Sequence, residues 1–93
     1  MGYSQIGYSF RPQMDKTAFS ASQIRVRELL REFRLEVGLR QVDLAAKLDE
    51  PQSFVSKYES GERRLDFVEV AEVCKALGVK LSEFVRRFEE PGT

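Results

Sequence analysis

The 93 residues are 42% apolar and 32% charged, the composition of one small globular domain with room for a single core and none for a multidomain enzyme. Fifteen Lys and Arg balance fifteen Asp and Glu, so net charge draws the chain toward no class of partner, and any basic face must come from local distribution.

Residues 1–22 stand apart as an N-terminal arm or tail. Gly-Tyr-Ser occurs at 2–4 and again at 7–9, and Ile6, Tyr8 and Phe10 alternate with Gly7 and Ser9 at strand period until Pro12. The segment reads either as a mobile tail or as an extended arm that docks on its own domain or on a second subunit.

From Ser20 the period changes. Ser20 to Gln23 fits a capping box, and Val26, Leu29, Leu30, Phe33 and Val37 recur at three- and four-residue steps, predicting an amphipathic helix stopped near Gly38. A short second helix reads from Gln41 to Leu48 with Leu44, Ala45 and Leu48 inward. Asp49-Glu50-Pro51 breaks the chain, and a third helix runs from Gln52 to Glu59 with Val55 and Tyr58 inward and Tyr58 keeping its hydroxyl at the rim. Ser60-Gly61 closes it. Asp66 caps a fourth helix whose stripe is Phe67, Val70, Ala71, Cys74 and Leu77, and a fifth shows Leu81, Phe84, Val85 and Phe88 before Pro91. The expected fold is all-α: a compact five-helix domain over 23–89, with a short tail at 90–93.

Helices of about eight residues are not stable singly, so the central pair must be held by tertiary packing. A helix-turn-helix at helices two and three does this. It needs a small residue at the crossing, here Ala45, apolar residues around the turn, here Leu44, Leu48, Val55 and Tyr58, and an outward polar face, here Gln52, Ser53, Ser56 and Lys57. In an arbitrary sequence such a face is simply solvated; the surrounding pattern turns the reading toward recognition.

The run from Gln41 to Leu48 followed by Pro51-Gln-Ser-Phe-Val-Ser-Lys-Tyr-Glu-Ser-Gly-Glu-Arg-Arg-Leu resembles the phage-repressor and Cro-type helix-turn-helix family of bacterial regulators, also called the xenobiotic-response-element type. The likeness spans all five helices and leaves out 1–22. The resemblance implies that Gln52 reads a base, with an amide suited to adenine, and that Ser53, Ser56 and Lys57 occupy the other outward positions, with Lys57 suited either to guanine or to a phosphate. It implies that Gln41 grips the DNA backbone and buttresses Gln52, and that Arg34 and Glu59 form a structural ion pair tying the first helix to the end of the third. Arg63 and Arg64 are phosphate candidates, with Arg40 and Lys47 beside them, and Phe54, exposed by helical phase, faces a sugar or a thymine methyl. Two positions depart from the pattern: Asp49 stands where the turn usually has Gly, and Glu50 where it usually has an apolar residue.

With no histidine and a single cysteine, Cys74, on a core stripe, neither the usual zinc sets nor histidine-dependent nucleophiles can be assembled, so no enzymatic activity and no cofactor is expected. No apolar run approaches the ~20 residues of a membrane span and the first residues lack a secretion pattern, which predicts a cytoplasmic protein with no membrane partner. The expected function is a DNA-binding transcriptional regulator, a repressor acting on a palindromic operator as a homodimer through Leu81, Phe84, Val85 and Phe88. The alternative is an antitoxin-like or adaptor protein that holds a partner protein through residues 1–22.

Overall fold

Ser20 opens the first helix in the computed structural model, which describes residues 20–90: its hydroxyl accepts a hydrogen bond from the Gln23 amide at 3.1 Å. Helix α1 then spans Ala21–Glu36, so the boundary drawn at 22/23 falls within its first turn. The strand-period segment Ile6–Phe10, the rest of the expected arm before Ser20, and residues 91–93 lie outside the described residues.

Four shorter helices follow: α2 (Gln41–Leu48), α3 (Gln52–Ser60), α4 (Phe67–Leu77) and α5 (Leu81–Glu89). No strand occurs among the described residues. The break between α2 and α3 is made by Asp49, which takes the left-handed conformation at φ 59° and ψ 41°. This lets the Glu50 amide reach back to the Ala45 carbonyl at 2.9 Å while the Asp49 amide donates to the Ala46 carbonyl at 3.1 Å, closing α2. A β-carbon makes that conformation costly for most residues, and Asp is one of the few that tolerate it. Pro51 then enters α3 extended, with no side-chain cap. The loop from Gly61 to Leu65 is stopped by a complete capping box: Asp66 accepts from the Glu69 amide at 2.7 Å and Glu69 accepts from the Asp66 amide at 3.0 Å.

The core draws on every helix: Leu29, Leu30 and Phe33 from α1, Leu44 and Ala45 from α2, Val55 and Tyr58 from α3, Val70, Val73, Cys74 and Leu77 from α4, and Phe84 from α5. Four expectations are corrected. Phe67 is 68% exposed and Val73 takes its place in the core. Val37, the C-cap of α1, lies beyond the last core layer and faces solvent. The Tyr58 hydroxyl is buried, not at the rim, and has no hydrogen-bond partner among the described residues. Ala71 is only half-buried.

Helix α1 is the spine. At one end the Arg25 guanidinium donates to the carbonyls of Arg87 and Phe88, at 2.6 and 3.3 Å, satisfying the last turn of α5. At the other end Arg34 holds the α2–α3 unit. No described helix is long and apolar enough to cross a membrane.

Candidate nucleic-acid interface

The order of α2 and α3 begins with a buried charge. Arg34 is placed by α1 with its guanidinium across the carboxylate of Glu59, donating at 2.7 Å to Oε2 and 2.9 Å to Oε1, and donating again to the Leu39 carbonyl at 2.8 Å. The two side chains are 7% and 5% exposed, so each ion depends on the other for the solvation that water no longer supplies. Hydrogen bonding to Glu59 outweighs burial and raises the Arg34 pKa above its ordinary value. This is the ion pair the resemblance implied, and the structure extends it outward.

Gln41, the first residue of α2, donates its amide to Glu59 Oε1 at 2.9 Å, and Gln52, the first residue of α3, donates to Gln41 Oε1 at 3.3 Å. A continuous chain of side chains therefore runs from the buried Arg34 to the exposed Gln52. Sequence reasoning had the two ends and not the link between Gln41 and Glu59. The signal was present in the register: residues 34, 41, 52 and 59 each stand at the end of a helix that meets its neighbour there.

Beyond Gln52 the outward face of α3 carries Ser53 and Lys57, both exposed, and Ser56, half-buried with its hydroxyl donating to the Ser53 carbonyl at 3.3 Å. Arg40, the residue before α2, is held by Asp43 through two side-chain bonds of 3.0 and 2.9 Å, and Asp43 also accepts the Arg40 amide at 2.9 Å. These bonds bring the Asp43 carboxyl down to about 2. Arg40 therefore lies at the same end of α2 as Gln41 with its charge partly offset. Lys47 and Arg64 are exposed on the surrounding surface.

Phe54 departs from the expectation. Its ring is half-buried, packs edge-on against Tyr58 at 5.7 Å, and is covered by the Arg63 guanidinium at 4.7 Å. Arg63 is bound in turn by Glu69 at 2.7 and 3.1 Å, which holds the Glu69 carboxyl below its usual range. The Phe54 position lies near the phase boundary of α3, and a large ring there turns inward because Arg63 gives it a cover. Arg63 thus fixes the α3–α4 loop and offers less to a phosphate than a free arginine does. A residue missed from sequence is Arg27 of α1, whose guanidinium lies over Gly61: a β-carbon there would come within 2.5 Å of it.

The surface expected to pair with a second copy is a groove of about 230 Å³ lined by Val26, Phe67, Val70, Leu81, Phe84, Val85 and Phe88. Of the four residues expected there, Phe84 is buried in the core of its own chain. Leu81 and Phe88 are half-buried and Val85 is exposed. Phe67, expected in the core, is the most exposed member of the face.

Residues 30–84 match the family described as helix-turn-helix. Among solved structures, the chain is similar to an XRE-family like protein from Pseudomonas syringae pv. tomato str. DC3000, at 39% identity and a TM-score of 0.73 over 82% of this chain and 93% of that one. It is similar, at 28% identity and a TM-score of 0.70 over 74% of this chain and 91% of the other, to the restriction-modification controller protein C.Esp1396I, solved as a tetramer in complex with its natural 35 base-pair operator. The clp gene regulator ClgR from Corynebacterium glutamicum shares the fold at 23% identity, with a TM-score of 0.66 over 74% of this chain and 73% of that one. No curated protein matches.

Proposed function

Because the chain belongs to the helix-turn-helix family in its XRE/Cro-type form, we propose that it is a DNA-binding transcriptional regulator that acts without chemistry of its own, a repressor that binds a palindromic operator as a homodimer through the major groove. The observation that carries this reading is Gln52: an exposed amide at the start of α3, supported from behind by Gln41 and not lying loose on the surface. An amide so held meets adenine with one donor and one acceptor. Ser53, Ser56 and Lys57 follow along the same helix toward neighbouring bases, and Gln41, Arg40 and Arg64 meet phosphates on either side. Arg63 contributes to the backbone contact from its clamp over Phe54, and Phe54 offers only the ring edge left uncovered.

One recognition helix spans a few base pairs, whereas two related by a dyad reach half-sites about 34 Å apart on one face of the duplex. The apolar groove between α4 and α5 is the proposed contact between copies, with Phe67, Leu81, Val85 and Phe88 supplying it. Repression asks for no further surface, since occupancy of a promoter-proximal site is sufficient.

The test is selection from a randomised duplex pool at near-physiological salt. The expected result is enrichment of an inverted repeat with centres about one helical turn apart, bound with an affinity that falls as salt rises, and more gently for Arg64→Ala. No enrichment, or an affinity indifferent to salt, would overturn the reading and favour the adaptor alternative.

A further inference from the structure

Glu59 does more than pair with Arg34. We propose that its buried carboxylate sets the direction of the whole amide chain and thereby selects adenine over guanine at the base that Gln52 meets, an inference that rests on the DNA-reading function above. The argument follows from which groups can donate. Glu59, gripped on both oxygens by Arg34, can only accept. Gln41 must therefore turn its Nε2 inward, which it does at 2.9 Å, and this leaves its Oε1 pointing outward. Gln52 is then obliged to turn its own Nε2 toward Gln41, at 3.3 Å. A lone exposed glutamine has two amide orientations of nearly equal energy; here a charge two hydrogen bonds away removes one of them.

What remains on Gln52 is one Nε2–H and the Oε1, on fixed sides. Adenine presents an acceptor at N7 and a donor at N6, matching that order, whereas guanine presents acceptors at both N7 and O6. With Oε1 held in place, guanine O6 meets a second oxygen. An amide free to rotate would turn a donor toward O6 and discriminate less. Glu59 is thus a positioning residue for the reading glutamine, and base choice is in part decided in the interior.

The full chain carries the test in two variants. Gln41→Met cuts the chain while leaving Arg34 and Glu59 paired, so its fold is preserved. Glu59→Gln keeps an acceptor for Arg34, turns an Nε2 toward Gln41 and reverses the direction of every bond beyond it. In the DNA-free protein, the side-chain amide signals of Gln52 in a nitrogen–proton correlation spectrum should move in Gln41→Met and, where it folds, in Glu59→Gln. On duplexes differing only by adenine or guanine at the selected base, Gln41→Met, which also gives up its own backbone contact and so binds all DNA more weakly, should lower the adenine-to-guanine ratio by about tenfold. A merely structural role would weaken binding to both duplexes alike. A folded Gln41→Met whose adenine-to-guanine ratio equals that of the parent overturns the inference, as do Gln52 signals that do not move. Signals that move in a chain that binds no DNA leave the amide chain standing and overturn the regulator reading alone.

Discussion

Replacing Arg34 with Met is the most informative single perturbation of the fold. The change strips the Glu59 carboxylate, 5% exposed, of the two hydrogen bonds that neutralise it, and leaves the Leu39 carbonyl without its donor. Breaking a buried ion pair from one side costs about 3–5 kcal/mol, because the remaining charge is still out of water and now alone. Two neighbours soften the loss: the Gln41 amide continues to donate to Glu59, and Arg31 lies 3.9 Å away with an exposed, movable side chain. The expected cost is therefore about 3 kcal/mol, the lower end of that range, against the roughly 4–10 kcal/mol that a domain of this size has in total. Arg34→Met combined with Glu59→Leu removes both charges and should recover at least half of the loss, since attraction within a buried pair is largely offset by the desolvation of its members. Urea unfolding followed by far-UV circular dichroism, at one fixed protein concentration, measures both. A single variant within about 1 kcal/mol of the parent, or a double variant no more stable than the single, would refute the assignment of Glu59 as a charge dependent on Arg34.

Asp49→Gly should raise stability by up to about 1 kcal/mol in the same assay, because Asp49 holds a left-handed φ of 59° that glycine adopts without penalty; a loss would mean that the Asp49 side chain contributes to the turn. Tyr58→Phe should be neutral or stabilising by roughly 1 kcal/mol, since the buried hydroxyl it removes has no partner among the described residues, and a clear destabilisation would show that the hydroxyl is satisfied in solution. Phe67→Lys should leave the helical signal intact and shift sedimentation toward the monomer, whereas Phe84→Lys should unfold the chain, because the first ring is 68% exposed and the second 5%; a Phe67→Lys protein that still sediments as a dimer would remove this face from the interface. Burial pushes the Cys74 thiol up to about 11 from an ordinary 9.0. Its contribution to stability is complete below pH 9.0, where both states are protonated, and is lost as pH rises toward about 11, where the unfolded chain gives up its proton first. Unfolding midpoints should fall across that interval and fall less in Cys74→Val; equal slopes would contradict the burial.

Four of the five helices were legible because each begins or ends on a residue with one local meaning, Ser20 and Asp66 as caps and Asp49 and Gly61 as left-handed stops, while α5, which has no side-chain cap, was legible from its apolar spacing alone. The face of α4 was harder. Phe67, Val70, Ala71, Cys74 and Leu77 fall on one helical stripe, but Val70, Val73, Cys74 and Leu77 fall on another that overlaps it, and periodicity cannot choose between them. The choice belongs to neighbours: along α4 the core ends at Val70, so a ring one turn earlier projects past it, while Val73 is enclosed where α4 packs on the rest of the bundle. Phe54 was missed for a related reason, since its inward turn depends on an arginine nine residues later that is itself held by Glu69. At the site, the pairing of Arg34 with Glu59 and the backing of Gln52 by Gln41 came with the resemblance, and the bond that joins these pairs came only with the three-dimensional arrangement.

The two bonds from Arg25 to the last turn of α5 mean that the described domain begins and ends at one corner. Arg25 and Arg34 are nine residues apart on one helix, about 14 Å at 1.5 Å per residue, so this corner stands at the far end of α1 from Gln41 and Gln52. A domain built this way is a cassette. It can be set as an insert into a surface loop of an unrelated host, entering before Ser20 and leaving after Glu90 through short linkers, with its polar helix still turned away from the host. Adjacent ends also suit it to circular rearrangement, in which a linker joins Glu90 to Ser20 and new termini open in a connecting loop, leaving the order of the helices in space unchanged.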